Sequence, residues 1–320
     1  MEVIQAEIPC IISGEHEAAV VCERDRHGQP LRTVISRRSG LVYTDPRPSH
    51  ESVKQFYRED YRSEYKGSSI PKMKHIYRAG RVALSRWQGI RDYLPSGGRV
   101  LDAGAGGGEL MCLLRHCGHQ VHGIEPNIGY AEYAREQYGL NLDVCFFEDA
   151  SLEPESFDAI VLFHVLEHLE NPVLEIQRLR GFLKPGGKFI IEVPNVMYNR
   201  CFPAAKWHIG HLYNFNTITL AAVAVKAGLD VLKLEALGDG GNVRGVFVNN
   251  DPVGDYCLDG NFQAVRQCLE SHSVAGHLFS PHPYIRPLKK ILRSTREQLA
   301  TRGCGSGQQL LENLFRGVAG

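Results

Sequence analysis

The chain has 320 residues, enough to bury a sizeable core in more than one compact unit. It is 43% apolar and 22% charged, an ordinary globular composition, and no apolar run approaches the ~18 residues of a membrane span. Net charge is zero, but the charges are uneven: residues 23–100 hold 17 Lys and Arg against 8 acids, 281–320 hold 7 against 2, and 100–280 hold 12 against 22.

The basic segments suit an anionic small molecule, or are simply solvated helical faces. No dense Lys/Arg stripe with interleaved aromatics is present, so no nucleic-acid partner is expected, and without a spanning run no membrane partner is expected. The N-terminus carries glutamates and no basic-then-apolar leader. Nine cysteines lack a framework spacing and read as reduced thiols, which points to a cytoplasmic location.

Residues 1–48 read as short strands and turns, with strand candidates at 18–22, 31–35 and 40–43, closed by Pro46 and Pro48. Ser49 is placed to cap a helix containing Val53, Phe56 and Tyr57, and a longer helical pattern covers 72–93. Pro95-Ser96-Gly97-Gly98 is a break. Strand candidates then follow at 99–103, 120–124, 143–147, 157–163, 188–193, 229–236 and 244–249, with helices near 107–116, 127–137, 171–182 and 216–227. This alternation predicts an α/β fold: a doubly wound, mostly parallel seven-stranded sheet covered on both faces. The last two strands have only a glycine-rich loop between them and suit an antiparallel edge pair. Residues 286–316 look helical, interrupted at 303–307. The expected division is a ribbon-like and helical lid at 1–95, a central domain at 96–250 and a mainly helical extension at 251–320.

The glycine loop Gly104-Ala105-Gly106-Gly107-Gly108 directly follows a strand ending in Leu101-Asp102-Ala103 and opens a helix. That is the outline of a nucleotide site. A dinucleotide fingerprint, G-x-G-x-x-G, fails in both registers: Glu109 or Met111 takes the third glycine position. A pyrophosphate also favours an uncluttered helix N-terminus, whereas Asp102 and Glu109 flank this loop. A donor carrying a sulfonium and an ammonium, S-adenosylmethionine, suits carboxylates better. Glu125 ends the next strand, 21 residues after Gly104, where an acid can grip ribose hydroxyls of either ligand class.

These blocks resemble those of the class I S-adenosylmethionine-dependent methyltransferases. Leu101 to Glu109 is similar to their first motif, Gly123-Ile124-Glu125-Pro126 to their second-strand acid motif, and Phe147-Glu148-Asp149-Ala150 to the adenine-contacting turn. Residues 157–169 resemble the fourth-strand block, and Leu183-Lys184-Pro185-Gly186-Gly187-Lys188 the turn into the fifth strand. The resemblance covers roughly 97–250 and implies a Rossmann-like methyltransferase fold binding S-adenosylmethionine. It implies that Gly104, Ala105, Gly106 and Gly108 form the loop under the methionine moiety and that Asp102 orients its ammonium. Glu125, followed by Pro126, would hold the ribose, and Asp149 with the Ala150 amide would meet the adenine. Phe163 and His164 would complete the cofactor side of the cleft.

His164-Val165-Leu166-Glu167-His168 also spells H-x-x-E-H, an inverted zinc-protease pattern. Its place directly after a buried strand, with no long active-site helix, argues against zinc hydrolysis. The carboxyl end of a central parallel strand opens on the ligand crevice. Methyl transfer is an in-line displacement needing alignment, and a hydroxyl acceptor must also lose a proton. Histidine is the usual base near neutral pH, and similar methyltransferases place a functional histidine at the His168 position. His168 is therefore the expected base, with His164 and His211 as further catalytic candidates; a capping or supporting role for His168 stays open.

Trp207-His208-Ile209-Gly210-His211-Leu212-Tyr213 resembles the family segment that roofs the acceptor pocket, which makes Trp207, His208 and Tyr213, with Tyr43 and Tyr57 from the N-terminal segment, the expected acceptor contacts. Packing over the sheet is the alternative use of these aromatics. Many similar methyltransferases of surface-polysaccharide and natural-product pathways begin with a zinc ribbon. Here its frame is kept in Cys10-Ile11-Ile12-Ser13-Gly14 and Ser36-Arg37-Arg38-Ser39-Gly40-Leu41-Val42-Tyr43. Three of the four ligand positions are serine, a poor zinc ligand beside thiolate, so no metal is expected. The expected activity is methyl transfer to a small molecule: a hydroxyl of a sugar, a nucleotide-linked sugar or another anionic metabolite. Carbon or nitrogen methylation is the first alternative, and a non-catalytic cofactor-binding subunit the second.

Overall fold

The computed structural model describes residues 8–47, 71–250, 252, 254 and 256–318. The predicted helix after Ser49, with Tyr57, lies outside them. Strands β1 (Ala18–Arg24), β2 (Pro30–Ser36) and β3 (Val42–Thr44) come first, then α1 (Met73–Ile90). The alternating region comprises β4 (Arg99–Ala103), α2 (Glu109–His116), β5 (Gln120–Ile124), α3 (Ile128–Tyr138), β6 (Leu142–Asp143), β7 (Phe157–Phe163), α4 (Pro172–Arg180), β8 (Leu183–Pro194), β9 (Tyr213–Asn214), α5 (Thr217–Lys226), β10 (Asp230–Leu237) and β11 (Asn242–Val248). Helices α6 (Asn261–Ser271), α7 (Val274–Phe279), α8 (His282–Thr301) and α9 (Gly307–Phe315) complete the described chain.

Seven strands form one sheet in the order β10-β11-β8-β7-β4-β5-β6. β4 pairs in parallel with both β5 and β7, β5 pairs in parallel with β6, and β10 and β11 are antiparallel. This is the α/β sheet predicted from the alternation. Three of the predicted strand spans, 99–103, 120–124 and 157–163, coincide with the observed ones. The predicted strand at 143–147 shrinks to Leu142–Asp143, an edge segment paired with β5 over two residues, and Phe147–Asp149 is a helical turn instead. The fifth strand begins earlier than predicted, at Leu183. Among the described residues no helix is long and apolar enough to cross a membrane.

The described residues fall into two compact units, one within Met1–Ser52, Leu162–Gln177 and Phe189–Pro287, the other within Val53–Val161, Arg178–Lys188 and Leu288–Gly320. In the second unit, α1 buries Ile76, Gly80, Ala83, Trp87 and Ile90, a three-to-four-residue spacing that makes one apolar stripe. Gly80 admits α9: a Cβ there would lie 2.7 Å from Leu314 Cδ2 and 2.8 Å from Leu311 Cδ2. In the first unit a separate sheet runs β1-β2-β3-β9, antiparallel throughout. Its core contains Leu31, Ile35, Val42, Val196, Trp207 and Val265. Asn261, opening α6, ties that helix to the sheet by donating from Nδ2 to Ser39 O at 2.7 Å.

Candidate active site

In the second unit, β4 carries Asp102 to its carboxyl end and the chain enters the glycine loop. The amides of Gly104 and Ala105 both donate to Ile124 O, at 2.8 and 3.0 Å, which fastens the loop to β5. Glu125 fixes its shape: Oε2 accepts from the Gly106 amide and Oε1 from the Asn127 amide, both at 2.8 Å. Each carboxylate oxygen has a second lone pair, so Glu125 can brace the loop and still accept from ribose hydroxyls. Gly106 has φ +54° and nothing within 4 Å of where a Cβ would stand. Gly108 has φ +81° and the opposite surroundings, a Cβ there lying 2.5 Å from Leu140 Cδ1. One glycine thus leaves room for a ligand, and the other lets α2 pack against α3.

Asp102 is buried, and burial raises its pKa to about 7; Arg86 opposes the shift while Glu125 and Glu109 add to it. An ammonium brought beside this carboxyl would act in the same direction as Arg86 and favour its ionised form. Pro126 is half-buried after Glu125, and Asp149 is exposed. The Ala150 amide is engaged locally, donating to Phe147 O at 3.3 Å. The open Gly106 cradle and the acidic set Asp102, Glu125 and Asp149 fit a ligand with a cationic tail, a ribose and an adenine.

In the first unit, β7 ends in Phe163, which is buried, and His164, whose φ of +57° is rare for a non-glycine residue. The His164 amide donates to Glu192 O at 2.8 Å, holding the chain in that turn. The turn Leu166–His168 then carries Glu167 inward; it is 1% exposed, and its Oε2 has no hydrogen-bond partner among the described residues. His164 is bracketed by two buried carboxylates, with Nδ1 at 3.4 Å from Glu167 Oε1 and Nε2 at 3.4 Å from Glu192 Oε1. His168 Nδ1 lies 2.6 Å from Gly210 O. A carbonyl only accepts, so Nδ1 bears a proton and the ring's other nitrogen, Nε2, 3.8 Å from Glu167 Oε1, is the one that can gain or lose one.

The His168 and His211 rings meet edge to face at 4.9 Å. Burial lowers the His211 pKa to about 3, aided by the charge of His168, so His211 is neutral near pH 7 and a weak base. Burial likewise lowers His208 to about 4; its Nδ1 accepts from the Gly210 amide at 2.9 Å. Burial pushes Glu167 up, but the His164 hydrogen bond and the charges of His168, His164 and His211 outweigh it and hold the pKa at about 2. Glu167, His168 and His211 place one ligand atom each within 4.8 Å of one another, a set able to take a divalent cation.

The structure thus brings together all three catalytic candidates, His164, His168 and His211, with His208 beside them. The aromatic acceptor candidates are placed differently. Tyr213 is fully buried, donating to Glu170 O at 3.1 Å and accepting from Arg47, whose guanidinium also lies 4.4 Å over its ring. Tyr43 is buried beside it and donates to Ile8 O at 3.4 Å. Trp207 belongs to the core of the small sheet. All three side chains are buried. Sequence reasoning missed Glu192 and Arg244, a buried ion pair at 2.8 Å that backs His164. The signal was there: one acid inside Phe189-Ile190-Ile191-Glu192-Val193, and one base inside Val243-Arg244-Gly245-Val246.

A family model described as a methyltransferase domain matches residues 73–234. The ubiquinone biosynthesis O-methyltransferase of Xanthomonas axonopodis pv. citri is 36% identical over 107 residues, 32% of this chain and 45% of that protein. The mitochondrial protein of the same name from Rattus norvegicus is 37% identical over 109 residues, 31% of this chain and 32% of its own length. The chain therefore spans less than half the length of these relatives. The 1,6-didemethyltoxoflavin-N1-methyltransferase of Burkholderia thailandensis, solved with bound 1,6-didemethyltoxoflavin and S-adenosylhomocysteine, superposes with a TM-score of 0.49 at 18% identity, over 66% of this chain and 96% of that one. With about half of its residues matched by the family model, on an α/β sheet that presents the glycine loop and acids, the chain belongs to the methyltransferase-domain family of class I S-adenosylmethionine-dependent methyltransferases.

Proposed function

We propose that this protein transfers a methyl group from S-adenosylmethionine to a hydroxyl of a small, anionic acceptor, with His168 removing the proton. The bound donor supplies an electrophilic methyl on a sulfonium. Asp102 holds the donor's ammonium, Glu125 its ribose and Asp149 its adenine amino group. The single observation that carries the base assignment is the bond between His168 Nδ1 and Gly210 O, which leaves the basic lone pair on Nε2. Neutral His211 and ionised Glu167 fix the imidazole's surroundings. Oxygen is favoured as the acceptor atom by the names of the relatives at 36 and 37% identity, both O-methyltransferases. The excess of Lys and Arg in 23–100 favours an acceptor bearing phosphate or carboxylate, such as a nucleotide-linked sugar.

The ribbon-like start belongs to the proposal as a metal-free module within the lid at 1–95, ahead of the cofactor-binding segment 96–250 and the extension 251–320. Cys10 is 1% exposed with its Sγ 3.2 Å from Ser39 Oγ, and the Ser39 amide donates to Ser36 Oγ at 3.2 Å. Although burial opposes it, hydrogen bonds from Ser13, Ser39 and Ile12 lower the thiol's pKa. One zinc per chain in protein purified without chelator would overturn this part.

The decisive test of activity is transfer of isotope-labelled methyl from the donor into candidate hydroxyl acceptors, with release of S-adenosylhomocysteine. Tight donor binding with no turnover on any acceptor at any pH would sink the catalytic reading. Turnover that survives His168→Gln unchanged would remove His168 from the role.

A further inference from the structure

Helix α8 is attached by its polar side. Glu297 is 2% exposed, with Oε2 accepting from Arg78 NH2 at 2.6 Å and Oε1 from Arg78 Nε; Arg293 Nε lies 3.6 Å from Oε1. At 3.6 residues per turn, Ile291, Leu292 and Leu299 fall on the opposite side of the cylinder. All three are solvent-exposed, at 62%, 65% and 60%, and Tyr284 and Ile285 continue the ridge into the first turns. An amphipathic helix ordinarily turns its apolar stripe to the core. This one turns a buried ion pair inward and a row of large apolar side chains outward.

Charge decides what can cover that row. The helix carries five exposed cations, Arg286, Lys289, Lys290, Arg293 and Arg296. Its one acid, Glu297, is buried and already paired. By the same helical spacing Lys289 and Arg296 flank the apolar row, while Arg286, Lys290 and Arg293 fall on the side of Glu297. A second copy docking through this face would bring its own Lys289 and Arg296 against this pair, which opposes self-association. An anionic surface gains from both. Apolar residues on one side with Lys and Arg along the flanks is the pattern of a helix lying in a lipid interface: the apolar side chains enter the acyl boundary and the long cationic stems reach back to headgroups. The expectation of no membrane partner rested on the lack of a spanning segment, and a helix lying on the surface needs none.

We infer that α8 docks this protein on an anionic lipid surface, with Ile291, Leu292 and Leu299 entering the interface and Lys289 and Arg296 meeting acidic headgroups. This inference is independent of the proposed reaction. The test is co-sedimentation of the full chain with vesicles of phosphatidylglycerol and phosphatidylcholine in equal parts, beside vesicles of phosphatidylcholine alone. The protein is expected to pellet with the first and not the second, and to be released by salt. Lys289→Glu with Arg296→Glu should weaken binding by at least about tenfold, since each cation near such a surface contributes several-fold. Ile291→Ser with Leu292→Ser should weaken it similarly, with the circular dichroism and thermal midpoint of the wild type kept, because both side chains are exposed. Failure of the wild type to pellet with the acidic vesicles, or double variants that pellet as it does, would overturn the inference. A dimer seen by light scattering and split by the Ile291/Leu292 variant, without vesicle binding, would give the face to a second copy instead.

Discussion

Two buried carboxyls, one in each unit, titrate in opposite directions. Asp102, at the end of β4, is raised to about 7 by burial against the opposing pull of Arg86. Glu167, after β7, is held at about 2 although it is just as buried, because His164, His168 and His211 outweigh the desolvation. His211 becomes charged only below about 3, so near neutral pH the hydrogen bond from His164 is the larger part of that support. Burial alone does not set the charge state of an acid; the partners fixed beside it do. Glu167 has its partners built in and is an organising charge. Asp102 has the cation Arg86 set against burial and the charges of Glu125 and Glu109.

The sharpest way to separate the two regions is a variant that touches one and spares the other. His168→Gln keeps an amide able to donate to Gly210 O and removes the basic nitrogen. Turnover is expected to fall by about 10²–10⁴-fold, the range for a lost general base, while the dissociation constant for S-adenosylhomocysteine stays unchanged. Methyl-transfer kinetics and calorimetry on the same preparation check this. A parallel loss of cofactor affinity would show that the histidine cluster is not separable from the donor site.

Glu167 offers a second break, in stability. Its folded pKa is depressed, so its contribution is fully present above the unfolded value near 4.5 and is lost as pH falls toward 2. Folding free energy should therefore lose about 3 kcal/mol more in the wild type than in Glu167→Gln between about pH 5 and pH 2. Denaturant titrations along that range measure it. Identical acid limbs would mean that Glu167 is not held by its histidines.

On the other side of the comparison, Asp102→Asn keeps the size of the side chain and removes the charge. Losing a charge-assisted contact costs about 1.5–3 kcal/mol, so S-adenosylhomocysteine, which shares the donor's ammonium, should bind about ten- to hundredfold more weakly. The folding of the variant is expected to be intact, because a neutral group suits this buried position. Unchanged binding would take Asp102 out of the ammonium site.

How far each region could be read from sequence follows from the same contrast. The donor half is local: Asp102, Gly104 to Gly108, Glu125 and Pro126 lie on consecutive elements, and glycines and acids at fixed spacing state their backbone and charge requirements directly. The histidine half is assembled from distant segments, and side-chain type does not say which members meet. Tyr43, Trp207 and Tyr213 had the chemistry of pocket walls, yet β3–β9 pairing and the small-sheet core absorb them. Glu192 and Arg244 are single charges in apolar strands, and only the order β11-β8 places them side by side. The Glu297–Arg78 pair, joining residues 219 positions apart, fixes which side of α8 is buried, and an apolar periodicity alone would have turned that helix the other way.

The smallest expected effect is also the most direct reading of the contrast, the pH dependence of donor binding. A carboxyl with a pKa near 7 is mostly protonated at pH 6, and only its ionised form pairs with an ammonium. Donor binding selects that form, so affinity should be flat above about pH 8 and fall as pH drops, approaching tenfold per unit below 7. In the unliganded protein the sign for stability is the reverse. A raised acid stabilises the fold below the unfolded value near 3.8 and gives that stability up as pH rises through about 7. The donor should therefore raise the thermal midpoint more at pH 8 than at pH 6, and Asp102→Asn should abolish that difference along with the slope in affinity. A slope that persists in the variant would assign the titration to another group and leave Asp102 an ordinary ionised carboxylate like Glu167.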